Sequence, residues 1–191
     1  GARLGYAAQH ISAFTSDPLG LISPSPALFD LWSGLAVGLL AGAIYAQRQN
    51  LPAWPTLDAL TPALGVAGVA VGLSHLASGE AYGAVTASPI SIALWGAQRH
   101  PTQVYEMLAA AVLLVIIWPR VGQSFFSTPG MRFLSFTAGS AAARLLLEAL
   151  RGDSALLPGG IRLAQVIAWI VLAISLWAMG KVFRNEKLQK N

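Results

Sequence analysis

Five stretches of the chain are mostly apolar, near 28–46, 57–77, 103–119, 131–150 and 161–180. A bilayer crossing needs about 20 mostly apolar residues, so each stretch predicts a transmembrane helix. A shorter apolar stretch, 1–14, predicts the end of a further, partial span. Between them lie helix breakers: Asp17-Pro18-Leu19-Gly20, Ser23-Pro24-Ser25-Pro26, Pro52 to Pro55, Thr128-Pro129-Gly130 and Pro158-Gly159-Gly160. Proline and glycine punctuate helices because one lacks the N–H and the other loosens the backbone. No low-complexity tract or soluble domain interrupts the pattern. The expected fold class is all-α: a polytopic helical membrane protein with five full transmembrane helices plus a partial N-terminal one, forming a single transmembrane domain over 1–191.

Composition agrees. Of the 191 residues, 55% are hydrophobic and 10% charged, with a mean hydropathy of +0.60; soluble domains carry about 25% charged residues. The net charge of +4 is small. Its excess sits at the C-terminus, in Lys181, Arg184, Lys187 and Lys190, so it speaks for membrane orientation and not for nucleic acid. Basic residues stay on the cytoplasmic side, which makes 181–191 a basic cytoplasmic tail. Counting back through five spans turns 15–27, 78–102 and 151–160 outward. There is no cysteine, which excludes disulfides, a thiol nucleophile and cysteine-bound metal. His10, His75 and His100 are too scattered to form a ligand cluster, so neither a metal nor a cofactor is expected. The chain opens on Gly1 without a signal-peptide pattern, leaving open whether residues precede it.

Small residues recur at helix-packing spacing: Gly34, Gly38 and Gly42 in one span, Gly68 and Gly72 in the next. Such faces let helices approach closely in lipid, and packing within the chain is the expected use.

The polar residues are more specific. RHPTQVYE, 99–106, sets Arg99, His100, Gln103, Tyr105 and Glu106 at the mouth of an apolar run, where such groups are costly unless they pair or act. Pro101 suits a first helical turn, which makes His100 the expected N-cap. Arg144 and Glu148 stand four apart on one helical face, and Arg151 continues it. They predict an ion pair at membrane depth, either structural or able to grip a phosphate, since guanidinium presents a rigid fork of donors. SGEAYG, 78–83, places Glu80 and Tyr82 between glycines. Gln165 is a lone amide expected to bond to a neighbouring helix.

In this order, GARLGY at 1–6, GEAYG at 79–83, RHPTQVYE at 99–106, RLLLE at 144–148 and Gln165 resemble the prolipoprotein diacylglyceryl transferases of bacterial inner membranes. The resemblance spans nearly the whole chain. It implies transfer of a diacylglyceryl group from phosphatidylglycerol to the lipobox cysteine of a prolipoprotein, with glycerol phosphate released. It implies as partners membrane phospholipid and a lipobox prolipoprotein. Carried onto this chain, the catalytic set is Arg144, Glu148, Glu80 and His100. The groups for lipid phosphate are Arg144, Arg99, Arg151, Gln103 and Tyr105.

The chain departs from the family pattern in three places. The histidine-glycine-glycine element is replaced by Leu31-Trp32-Ser33-Gly34-Leu35; the central arginine falls on Gly72; the asparagine falls on His75. The family's usual candidate for activating the thiol is therefore missing, and His75 is the imidazole left to act as base. Two readings stay open: a transferase with a rebuilt site, or a catalytically degenerate relative that binds lipid or serves other membrane subunits. Whether the chain is an enzyme is undecided here; the lost positions tilt slightly toward the second reading. A transporter is disfavoured, because there is no inverted repeat or pair of broken helices.

Overall fold

The computed structural model describes residues 1–120 and 124–190, with the side chains of Pro26, Ser124, Lys187, Gln189 and Lys190 excluded. The chain forms two compact units, Gly1–Ala53 and Trp54–Asn191.

In the first unit, α1 (Ala2–Gln9) and the short α2 (Ile11–Ser16) lead through turns to α3 (Leu31–Arg48). Asp30 caps α3 by accepting from the Ser33 backbone N–H at 2.7 Å, which satisfies one of the free donors of the first turn. Gly34 of α3 lies against Ala2, where a Cβ would come within 2.9 Å. Gly38 and Gly42 have nothing within 4 Å. The predicted small-residue face is thus used at one glycine of three among the described residues.

The second unit holds α4 (Ala53–Ser78), a hairpin of β1 (Ile92–Leu94) and β2 (Ala97–Arg99), α5 (Thr102–Ile117), α6 (Met131–Glu148) and α7 (Leu163–Lys190). All five apolar runs are therefore helical at close to their expected limits. Two helices, Ala53–Ser78 and Leu163–Glu186, are long and apolar enough to cross a membrane. Apolar α5 has 16 residues, about 24 Å at 1.5 Å per residue, short of the roughly 30 Å hydrocarbon core. The basic tail continues α7 as helix up to Lys190; Asn191 lies outside the described residues.

The all-α expectation needs correcting at 92–99. Ile92 pairs with Arg99, Ala93 with Gln98 and Leu94 with Ala97. Trp95 and Gly96 turn the chain with φ of +53° and +75°, the two left-handed residues that a tight hairpin of matching twist requires. The expected His100 cap is also corrected. The helix begins at Thr102 with Pro101 in the cap position and no side-chain cap bond, because His100 is engaged by backbone: its N–H donates to Ala84 O at 3.1 Å.

Burial runs opposite to that of a water-soluble domain. Thr61, Thr102, Gln103, Glu148 and Ser175 are buried, and the apolar core is mostly alanine, while Trp169, Ile170, Ile174 and Trp177 on α7 are exposed. Small and polar groups inside and large apolar groups outside is the arrangement that suits helices packed within lipid. At Gly72, α4 and α5 meet backbone to backbone: a Cβ there would lie 2.9 Å from Met107 Cα. At the other end of α4, buried Asp58 accepts from Gly130 N at 2.6 Å and Phe133 N at 2.8 Å, capping α6 from a neighbouring helix.

Candidate active site

Glu106, in the second turn of α5, is the centre of the polar cluster. Its Oε1 accepts from Arg144 Nη1 and Arg151 Nη1, both at 2.8 Å. Its Oε2 faces His75 Nδ1 at 3.4 Å. Arg144 also pairs through Nε with Glu148 Oε2 at 3.0 Å, the i, i+4 pair expected from the sequence. Glu148 is 1% exposed, so its charge is tolerable only because it is paired. Arg151 makes a two-pronged bridge to Asp153, 2.9 Å through Nε and 2.8 Å through Nη2. Burial pulls the Arg151 pKa down, but the bonds and charges of Asp153 and Glu106 outweigh it and hold the guanidinium above its ordinary value. Such a group keeps its stabilising charge below its already high unfolded pKa and loses it only as pH rises through the raised folded one. Arg151 is therefore charged throughout the physiological pH range.

Arg162, at the entry to α7, completes the cluster. Its Nη1 donates to Arg151 O and Ser154 Oγ, each at 2.9 Å, and to Glu148 O. One guanidinium thus closes the C-terminal end of α6, where free carbonyls favour a cation. Gln165 makes its interhelical bond, Nε2 to Leu145 O at 3.4 Å. Two arginines, Arg144 and Arg151, bridge three carboxylates, Glu106, Glu148 and Asp153, while Arg162 holds backbone carbonyls and Ser154.

Cavities open on several sides of it. A groove of about 320 Å³ runs between α6 and α7, walled by Phe133, Phe136, Ile167 and Val171, with Arg144 also lining it. A smaller one, about 150 Å³, lies on the α5 side of α6 and has Glu106 and Arg144 in its wall. A cleft of about 360 Å³ is lined by His75, Glu80, Tyr82, Trp95, Arg151 and Asp153. Arg144 is 37% exposed, and its Nη2 has no protein partner among the described residues. An anion placed there would meet an unused donor, with apolar surface beside it.

The structure thus brings together Arg144, Glu148, Arg151 and His75, with Glu80 exposed at the edge of the same cleft. It does not bring the rest of RHPTQVYE to them. Arg99 donates to Leu94 O and Gly83 O at 3.2 Å each and stacks over Tyr82. Gln103, fully buried, donates to Glu80 O at 2.8 Å. His100 packs its carbonyl on Gly83, where a Cβ could not fit, and its ring lies 6.4 Å from Tyr105. These residues shape the loop that carries Glu80. Sequence reasoning left out Glu106, Asp153 and Arg162 as site residues. The available signal for Glu106 was a carboxylate in an apolar helix with arginines on another span in need of a partner.

A family model described as prolipoprotein diacylglyceryl transferase matches residues 1–180. The chain is 30% identical over 162 residues to the phosphatidylglycerol–prolipoprotein diacylglyceryl transferase of Thermosynechococcus vestitus, covering 78% of this chain and 59% of that one. It is 32% identical over 195 residues to the protein of that name from Geobacter sulfurreducens, covering 97% and 74%. A third, from Lactobacillus johnsonii, is 26% identical over 191 residues, covering 93% and 69%. The chain thus spans between 59% and 74% of the length of these relatives.

Proposed function

The chain belongs to the prolipoprotein diacylglyceryl transferase family, and we propose that it moves the diacylglyceryl group of phosphatidylglycerol onto the lipobox cysteine of a prolipoprotein. The observation that carries this reading is the position of Arg144, with a free guanidinium edge between an apolar groove and a polar cluster. Lipid phosphate bound to Nη2 leaves an acyl chain against the wall of Phe133, Phe136 and Val171. Glu106 and Glu148 hold Nη1 and Nε and aim the fork. As the glycerol carbon–oxygen bond breaks, negative charge grows on the departing phosphate. A preorganised donor in a water-poor site favours that state over the bound substrate.

In this reading Arg144 binds phosphate, Glu148 and Arg151 position it through their shared ion pairs, and Glu80 faces the acceptor peptide from the cleft edge. Arg99, Gln103, Tyr105 and His100 hold the loop from which Glu80 projects. The long apolar helices α4 and α7 cross a bacterial inner membrane, with the basic end of α7 in the cytoplasm; the exposed apolar surfaces support this placement. The test is transfer to a lipobox peptide in phosphatidylglycerol vesicles, scored by mass. Arg144→Ala is expected to reduce product by about 100- to 1000-fold. A wild-type protein that makes no product, beside an active Geobacter relative, overturns the reading.

A second reading keeps the fold and the lipid site without turnover, as an accessory subunit. The observation favouring it is Gly72: where the family pattern has an arginine, α5 backbone fills the space. Lipid binding with no product, together with stable co-purification of other membrane subunits, is its signature.

A further inference from the structure

We propose that His75 is the general base of the transfer and Glu106 its positioning residue, a step that rests on the transferase reading. His75 lies in the last turn of α4, at the position where the family pattern has asparagine. Its Nδ1 is buried, makes no hydrogen bond, and lies 3.4 Å from Glu106 Oε2. The side chain is still 29% exposed and lines the cleft with Glu80, Tyr82, Arg151 and Asp153. With Nδ1 buried, the ring meets the cleft by its outer edge, which carries Nε2. A carboxylate beside one ring nitrogen selects the tautomer with its proton there and leaves the other nitrogen as acceptor.

The surroundings fit a base better than a structural ion pair. The charged groups around the ring are Glu106 from α5, Arg144 from α6, Arg151 and Asp153 from the segment after α6, and Glu80 and Tyr82 from the loop after α4. Both arginines already donate to Glu106 Oε1, which spends much of that carboxylate's charge and leaves Oε2 to the imidazole. The arginines cannot take up a proton, and Glu106 and Asp153 already accept hydrogen bonds from them. The imidazole presents a ring nitrogen to the cleft that can accept a thiol proton.

The step balances. The cysteine S–H gives its proton to His75 Nε2, and the thiolate attacks the glycerol C3 of phosphatidylglycerol. The S–C bond forms as the bond from C3 to the phosphate oxygen breaks. The bonding pair leaves on glycerol phosphate, which thereby gains a second negative charge. The imidazolium offsets that charge, and the proton then passes to the departing phosphate.

The experiment uses the whole protein in phosphatidylglycerol vesicles with a lipobox peptide, comparing wild type, His75→Asn and His75→Ala. Wild-type kcat/KM is expected to fall on the acid side as the base becomes protonated. In His75→Asn it falls about 100-fold or more at neutral pH, loses that acid limb and recovers at alkaline pH as the thiol ionises unaided. Binding of the vesicles is unchanged. Added imidazole restores part of the His75→Ala rate, a readout that a lost structural contact does not give. An active wild type with an unchanged pH profile in His75→Asn and no imidazole rescue overturns the role of His75 alone. A wild type without product overturns the transferase reading and this step with it.

Discussion

Two carboxylates in the second unit, buried Asp58 and half-buried Glu106, have opposite surroundings. Asp58 accepts from two backbone N–H groups at the start of α6. Those donors belong to the chain path itself and cannot be offered to anything else. Glu106 accepts from two arginine side chains and faces an imidazole, and each of these three side chains lines a cavity. A carboxylate saturated by backbone fastens the fold. One held by cations that also reach open space orders a site, because a substrate can share those cations with it.

The sharpest way to break that contrast is Glu106→Gln. It keeps the shape, and Arg144 and Arg151 retain Glu148 and Asp153. Transfer is expected to fall by about 100-fold, or roughly 3 kcal/mol in the barrier, while thermal unfolding in detergent shifts by less than that, because both arginines keep a carboxylate partner. A large melting shift with intact turnover would make Glu106 a fastener like Asp58. Asp58→Asn is the converse. Turning an amide N–H₂ toward donors leaves a buried N–H without an acceptor, costing about 2–3 kcal/mol of stability and changing transfer per folded molecule by less than about twofold. The smallest effect is expected at Gly72→Ala. The added methyl pushes on Met107, next to Glu106, at a cost of about 1–2 kcal/mol, and the rate drops more than the stability predicts because the His75–Glu106 contact widens. Equal losses in both would place Gly72 in packing alone.

Much of this was legible along the chain. The five runs are helices because their apolar patterns are continuous and their boundaries are proline and glycine. Arg144–Glu148 was readable because i and i+4 are neighbours on any helix. Neighbours distant in sequence were not: Glu106 lies 38 residues from Arg144 and 45 from Arg151, and no local rule links them. The glycine spacing in α3 implied a packing face that, among the described residues, is used only at Gly34. In α4, Gly72 does meet a helix backbone, so the spacing signalled capacity for close approach and not its use. The hairpin at 92–99 escaped because Trp95-Gly96 is not a strong turn signal, and three-residue strands give little alternation to read.

Composition and periodicity by themselves determined a mostly helical chain made for an apolar setting, and the motif order determined its family resemblance. Both follow from local rules: how many apolar residues run together, and which side chains lie one turn apart. Tertiary structure alone decided that Glu106 is the hub, that Arg144 faces a groove on one side of α6, and that His75 sits against a carboxylate. Those outcomes depend on how closely α4, α5 and α6 pack, and that distance is set by contacts between residues far apart in the chain.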